Sequence, residues 1–340
     1  MRAAVIPGVG QEWEVREVPT PRPGPGQVLI RVRASGVCHN DVLTWRGVLP
    51  FPMGDPAVTG HEPVGEVADV GPGVRDLKVG DRVGTTWVQA GCGTCDYCAL
   101  GLPVTGQTGL NCAAPVMTGF TVPGGHAEYV VAAAEATVPI PDTLPDELAA
   151  PMMCAGYTAW SALIAAAPQE GERVAVLGIG GVGHLAVQFA KACGLETVAV
   201  TRSAHKHDLV RELGADAVVG SGAELLAAGG ADVVLVTGSS YTAATDCLPA
   251  LRPNGRMVLA GIDTAGSFTI PPSLARPFFA QRQQVIGATH NGLDLLRTAL
   301  DLAASGQVRP RVQTFAASEV ATAVDRVARG EALFRAVVTF

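Results

Sequence analysis

Lysine is nearly missing. The chain has three, Lys78, Lys191 and Lys206, against 21 arginines, and no run of basic residues. The formal net charge is −7. A nucleic-acid backbone or an anionic membrane surface needs a concentrated positive face, so neither is expected as a partner. Long apolar runs are missing too; none reaches the length of a membrane-spanning helix. The start, Met1 to Pro7, lacks a charged segment followed by an apolar core. No signal peptide is therefore expected, and the chain is expected in the cytoplasm. Internal repeats and low-complexity tracts are lacking as well. Apolar residues are plentiful. They make up 48% of 340 residues, which excludes disorder and suffices for two domains.

Eight cysteines without an export signal point to metal ligands before disulfides. The segment Cys38-His39-Asn40-Asp41 is followed by Gly60-His61-Glu62. Thiolate, imidazole and carboxylate are the side chains zinc accepts. Cys154, in Met152-Met153-Cys154-Ala155-Gly156, is the best third ligand. Three protein ligands and one open position make a zinc that performs chemistry. Taken alone, these residues read more readily as a buried thiol and two core histidines; their neighbours reverse that preference. Cys92, Cys95 and Cys98 form two consecutive C-x-x-C spacings, with Cys112 beyond. Four thiols leave no open position, so a second zinc here would be structural. The 13 residues between Cys98 and Cys112 are many for such a loop, though closure entropy grows only slowly with length.

The first 150 residues read as short strands and proline- or glycine-rich turns, without helical periodicity. From about Ala149 the texture changes to alternating apolar strands and helices. A strand at Arg173 to Leu177 runs into Gly178-Ile179-Gly180-Gly181-Val182-Gly183, then a helix from His184 and a strand at Thr197 to Val200. A G-x-G-x-x-G inside a short β-α-β unit lets a dinucleotide pyrophosphate approach backbone N–H groups at the helix start. Later strands at Ala217, Val233, Arg256 and Val285 extend this into an α/β doubly wound parallel sheet. In such a sheet a carboxylate after the second strand favours NAD(H). Here Thr201, Arg202, Ser203 and Lys206 stand there instead. A hydroxyl, a guanidinium and an ammonium suit a 2′-phosphate, so NADP(H) is expected over NAD(H).

These motifs together resemble the zinc-containing alcohol dehydrogenases of the medium-chain dehydrogenase/reductase superfamily. The likeness rests on Gly36 to Asp41, Gly60 to Glu62, Gly80 to Val83, the cysteine lobe, Cys154 to Ala159 and Gly178 to His184. It implies a GroES-like β-rich catalytic domain over 1–150, with 290–340 returning to it, and a Rossmann cofactor-binding domain over 151–289. It implies two zinc ions per chain. Cys38, His61 and Cys154 would ligate the catalytic one, with Glu62 as a transient ligand. Asp41 would orient His61, fixing its tautomer. His39 and Arg335 match positions that contact the cofactor pyrophosphate, and Trp45 and Trp87 match residues lining the substrate pocket. Homodimers or homotetramers are the family habit. The implied chemistry is hydride transfer between the nicotinamide and a small-molecule substrate.

The chain departs from that family at the proton relay. Asn40 stands where a Ser or Thr usually takes the substrate proton, and Leu43 where a histidine often passes it to water. A neutral amide does not usefully exchange a proton near pH 7. Three readings follow: an aldehyde or ketone reductase, a reductase of a polarised C=C or C=N bond, and a dinucleotide-binding protein without turnover.

Overall fold

An eleven-residue strand, Gln27–Val37, is the axis of the first half of the chain. Ile30, Val32 and Ala34 point inward, while Arg31 and Arg33 point outward to share Glu66. This period of two is what a strand with one buried face requires. Pro63–Val70 pairs with it on one side and Arg335–Thr339 on the other, both antiparallel. Tyr129–Ala133 pairs with its first half. Among the described residues the sheet has seven strands. Val28, Ile30, Val32, Val67, Val83 and Val130 close its core.

The computed structural model describes residues 1–51 and 57–340. They form two compact units. One is Met1–Tyr157 with His290–Gly306 and Pro310–Phe340; the other is Thr158–Thr289 with Gln307–Arg309.

The first unit holds a helix where the sequence read only strands and turns. His39–Trp45 is α-helical, with Cys38 as its N-cap. The Asp41 carboxylate accepts a 2.8 Å hydrogen bond from the Cys38 amide. A carboxylate in the first turn also suits the positive end of the helix. Val42 is buried against Val320, Ala323 and Val324 of a later helix, Val320–Ala328. Those three positions share one face at i, i+3 and i+4.

The second unit is built on a six-stranded, all-parallel sheet. In space the strands run Ala217–Val219, Glu196–Val200, Arg173–Leu177, Ala231–Val236, Leu251–Leu259, Gln284–Gly287. The central strands are valine-rich and covered on both faces, as crossover helices demand. The order reverses direction beside Arg173–Leu177. Ligands of such sheets bind at this switch point, and the glycine turn begins there. Among the described residues no single helix is long and apolar enough to cross a membrane.

Candidate metal centre and dinucleotide turn

Strand pairing assembles the first site. Cys38 directly follows Gln27–Val37, and His61 and Glu62 directly precede Pro63–Val70. The register pairs Ser35 with Pro63 and Val37 with Ala336. Arg335, Cys38 and Glu62 therefore lie at the same end of three neighbouring strands. Cys154 arrives from elsewhere, at the junction of a 3₁₀ turn, Ala150–Met153, with the helix Ala155–Ala165. The ligand atoms of Cys38, His61, Glu62 and Cys154 all lie within 4.8 Å of one another.

Two glycines make room. A Cβ on Gly36 would stand 1.9 Å from a Glu62 oxygen. Gly60 has φ +97°, and a Cβ there would strike the His126 ring at 2.7 Å. Only a residue without a side chain permits either approach.

The electrostatics suit a cation. Both ring nitrogens of His61 are buried without a hydrogen-bond partner among the described residues. Its Nδ1 faces Asp41 Oδ1 at 3.8 Å, which leaves Nε2 for a metal. Burial pushes the His61 ring down, but Cys38, Asp41 and Glu62 outweigh it and bring it up to about 9. The neighbouring Cys154 thiol and the positive groups around it hold Cys38 well below the usual thiol range. Burial pushes the Glu62 carboxyl up to about 7, against the pull of Arg335. Arg335 Nη2 donates to both Glu62 oxygens. The Arg335 Nε is a buried donor with no partner among the described residues. Two sulfurs, one carboxylate and an imidazole whose ring nitrogens lack partners among the described residues form a donor set that fits zinc.

The second cluster fits a closed site. Cys95 and Cys98 sulfurs are 3.6 Å apart, and each lies 3.8 Å from that of Cys112. Cys92 completes a set within 4.8 Å. Four sulfurs at zinc-bond distance in a tetrahedron lie about 3.8 Å apart.

In the second unit, Gly178 has φ +92° and its Cα side meets Gly238, while Gly183 packs on the Gly178 carbonyl. A Cβ on Gly180 would meet nothing within 4 Å, so the turn presents open backbone. The helix begins at Gly183, with Val182 as N-cap. Past the strand Glu196–Val200, Thr201 is buried and accepts from the Ser203 amide, and Arg202 is exposed. Lys206 Nζ donates to the Ile179 carbonyl at 3.0 Å, inside the glycine turn.

A family model described as "Alcohol dehydrogenase GroES-like domain" matches residues 24–142. A second, "Zinc-binding dehydrogenase", matches residues 181–305. An alcohol dehydrogenase of Geobacillus stearothermophilus is 39% identical, over 99% of each chain. The chain is a zinc-type alcohol dehydrogenase of the medium-chain dehydrogenase/reductase superfamily. It is thus an oxidoreductase with a GroES-like and a Rossmann-type domain. A thermostable alcohol dehydrogenase from Pyrobaculum aerophilum, solved with cobalt and zinc, superposes with TM-score 0.85 at 31% identity. That match covers 100% of this chain and 99% of the other. A cinnamyl alcohol dehydrogenase from Sorghum bicolor gives 0.83 at 29% identity, covering 99% and 96%.

Within this zinc-type dehydrogenase, not every residue expected at the site lies there. Trp87 stands beside the candidate metal centre, its ring 5.7 Å from His61 and 5.1 Å from Phe120. Trp45 instead packs on the Val42–Val324 cluster and donates to the Gln11 carbonyl at 2.6 Å. His39 is exposed and Asn40 half-buried at the start of their helix. Leu43 is buried. Two histidines near the centre carried no sequence signal. His126 Nε2 lies 3.7 Å from Asp41 Oδ2, and His290 Nε2 lies 3.2 Å from the Cys154 carbonyl. Both come from distant chain positions with no motif around them.

Proposed function

We propose that this dehydrogenase works as an NADP(H)-preferring reductase of aldehydes or ketones. Cys38, His61 and Cys154 would hold a catalytic zinc, and Cys92, Cys95, Cys98 and Cys112 a structural one. The observation that carries this reading is the group of two sulfurs, an imidazole and a carboxylate within 4.8 Å, buried at all but the half-buried Cys38. When bound, zinc supplies a Lewis acid for the carbonyl oxygen and the nicotinamide a hydride. The chain's own residues set the stage. Asp41 would orient His61 from its Nδ1 side, which its 3.8 Å approach supports. Glu62 stands within reach of the same centre and would serve as a transient ligand. Arg335, bound to Glu62, still has its Nε donor for a pyrophosphate oxygen, and His39 would join it.

The turn Gly178, Gly180, Gly181, Val182 and Gly183 would cradle the pyrophosphate. Arg202 is the exposed cation after a strand end that lacks a carboxylate, which supports a 2′-phosphate. Thr201 and Ser203 would add hydroxyls. Lys206 already binds a carbonyl, so Arg202 carries the larger share. Residues 1–150 with 290–340 would hold the substrate and 151–289 the cofactor. Eight free thiols support a reducing cytoplasm. The exposed edge strand Gln284–Gly287 supports a homodimer or homotetramer.

A second reading is favoured by two residues. Asn40 offers only an amide, and Leu43 is buried apolar bulk. Reduction of a polarised C=C or C=N bond needs no proton at an oxygen beside the metal. Deuterated NADPH decides between the readings. With a saturated aldehyde, its α,β-unsaturated analogue and a cyclic imine offered together, label should appear on the carbonyl carbon. Label on the β-carbon or imine carbon selects the second reading. Cofactor choice is tested by kcat/KM with each coenzyme. NADPH should lead, and Arg202→Ala should cut its lead about tenfold, the loss of one charge-assisted contact. An NADH preference that Arg202→Ala leaves unchanged ends that part of the reading.

A further inference from the structure

The 13 residues between Cys98 and Cys112 are more than a four-thiol site needs, and their path gives them a second task. They form an irregular turn, Val104–Thr108, and a short helix, Gly109–Asn111. Thr105, Gly106 and Thr108 face inward and are buried. Thr105 Oγ1 lies 3.4 Å from the Tyr157 hydroxyl. The Tyr157 ring stacks on His290, with centroids 4.1 Å apart and planes 18° apart. His290 Nε2 in turn lies 3.2 Å from the Cys154 carbonyl. A carbonyl only accepts, so Nε2 carries the proton in this contact.

The segment is clamped at two points. A Cβ on Gly106 would stand 2.0 Å from the His290 carbonyl oxygen, so backbone presses on backbone there. A Cβ on Gly109 would stand 2.2 Å from the Val88 side chain, at the start of the strand that leads into the thiol cluster. Cys154 itself has neither helical nor strand geometry, with φ −132° and ψ −67°. Its backbone is held from outside. Thr86 Oγ1 donates to the Met153 carbonyl at 2.8 Å, and His290 holds the next carbonyl.

We propose that residues 102–109 are a strut from the thiol cluster to the Cys154 ligand, with His290 as the positioning residue at its tip. The strut fixes where the Cys154 sulfur points. The proposal rests on the reading of Cys38, His61 and Cys154 as a metal site. Supporting partners of a ligand typically change metal affinity about 10- to 100-fold.

The test uses the full chain loaded with cobalt(II), read by its visible spectrum and its release to a chelator. Four-thiolate and two-thiolate cobalt differ in charge-transfer intensity, so the two sites are read separately. In His290→Leu, cobalt at the Cys154 site should leave about 10-fold faster or more, with a shifted ligand-field band. Cobalt among the four thiols should stay. His290→Gln, which keeps an N–H for the carbonyl, should recover most of the loss. Gly106→Ala should reproduce His290→Leu from the far side of the strut. Gln107→Ala, exposed in the same segment, should match the unmodified chain. Circular dichroism checks folding, and Thr105→Val serves if Gly106→Ala does not fold. Folded His290→Leu and Gly106→Ala with unmodified spectrum and release overturn the strut. So does a loss confined to the four-thiol site. An unmodified chain that holds no cobalt at Cys38, His61 and Cys154 overturns the underlying reading, and is told apart because it precedes any substitution.

Discussion

Glu62 and Arg335 are a buried pair, carboxyl against guanidinium, at the candidate metal centre. Such a pair adds little net stability, but removing one member strands the other. Arg335→Leu should therefore cost about 3–5 kcal/mol in denaturant unfolding. Adding Glu62→Gln should recover much of that, since the stranded charge is then gone. A single variant as stable as the parent would mean that water reaches Glu62. Asn40→Thr asks a separate question. If the amide limits proton transfer, the hydroxyl should raise alcohol-oxidation turnover several-fold; an unchanged turnover would place the proton path elsewhere. Single residues were legible where their neighbours in sequence are their neighbours in space. Cys92, Cys95 and Cys98 announce themselves by spacing. His126 and His290 act through contacts with residues up to 136 positions away, such as His290 with Cys154, and no local pattern marks them.

Elements differ in the same way. Val174, Ala175, Val176 and Leu177 read as a buried strand because their composition is shared along the whole element. The glycine turn after it was legible because strand, turn and helix are consecutive. The helix His39–Trp45 was not. Seven residues are two turns, too few for a periodic signal, and its N-cap is a cysteine rather than a Ser, Thr, Asp or Asn. That helix carries Asn40 and Asp41, and it is held from behind by Val320, Ala323 and Val324. Val324→Ala should cost about 2 kcal/mol, in the range of a core truncation. The expected result is a lower melting temperature together with faster metal loss from the Cys38 site. Faster loss without destabilisation would show that the helix is not braced through its apolar face.

At the scale of the whole molecule, each unit has its own core and its own fastening. The first has the thiol cluster. The second has Glu172, which accepts two 2.7 Å hydrogen bonds from Arg256 and so ties the approach to Arg173–Leu177 to the strand Leu251–Leu259. The Arg256 guanidinium holds the Glu172 carboxyl below its ordinary value of 4.5. A depressed carboxyl stabilises fully above the unfolded value, and that stability is lost as pH falls through the folded one. The pair is mostly but not fully covered, so about 1 kcal/mol is at stake. Hydrogen exchange resolved by peptide separates the two fastenings. A chelator at pH 7 should loosen 92–112 and leave 166–173 and 251–259 protected. Glu172→Gln at pH 7 should do the reverse. It should also remove the acid-dependent loss of protection that the parent shows in 251–259 below about pH 4.5. Strand Leu251–Leu259 losing protection equally in parent and variant as pH falls would assign its acid sensitivity to another group.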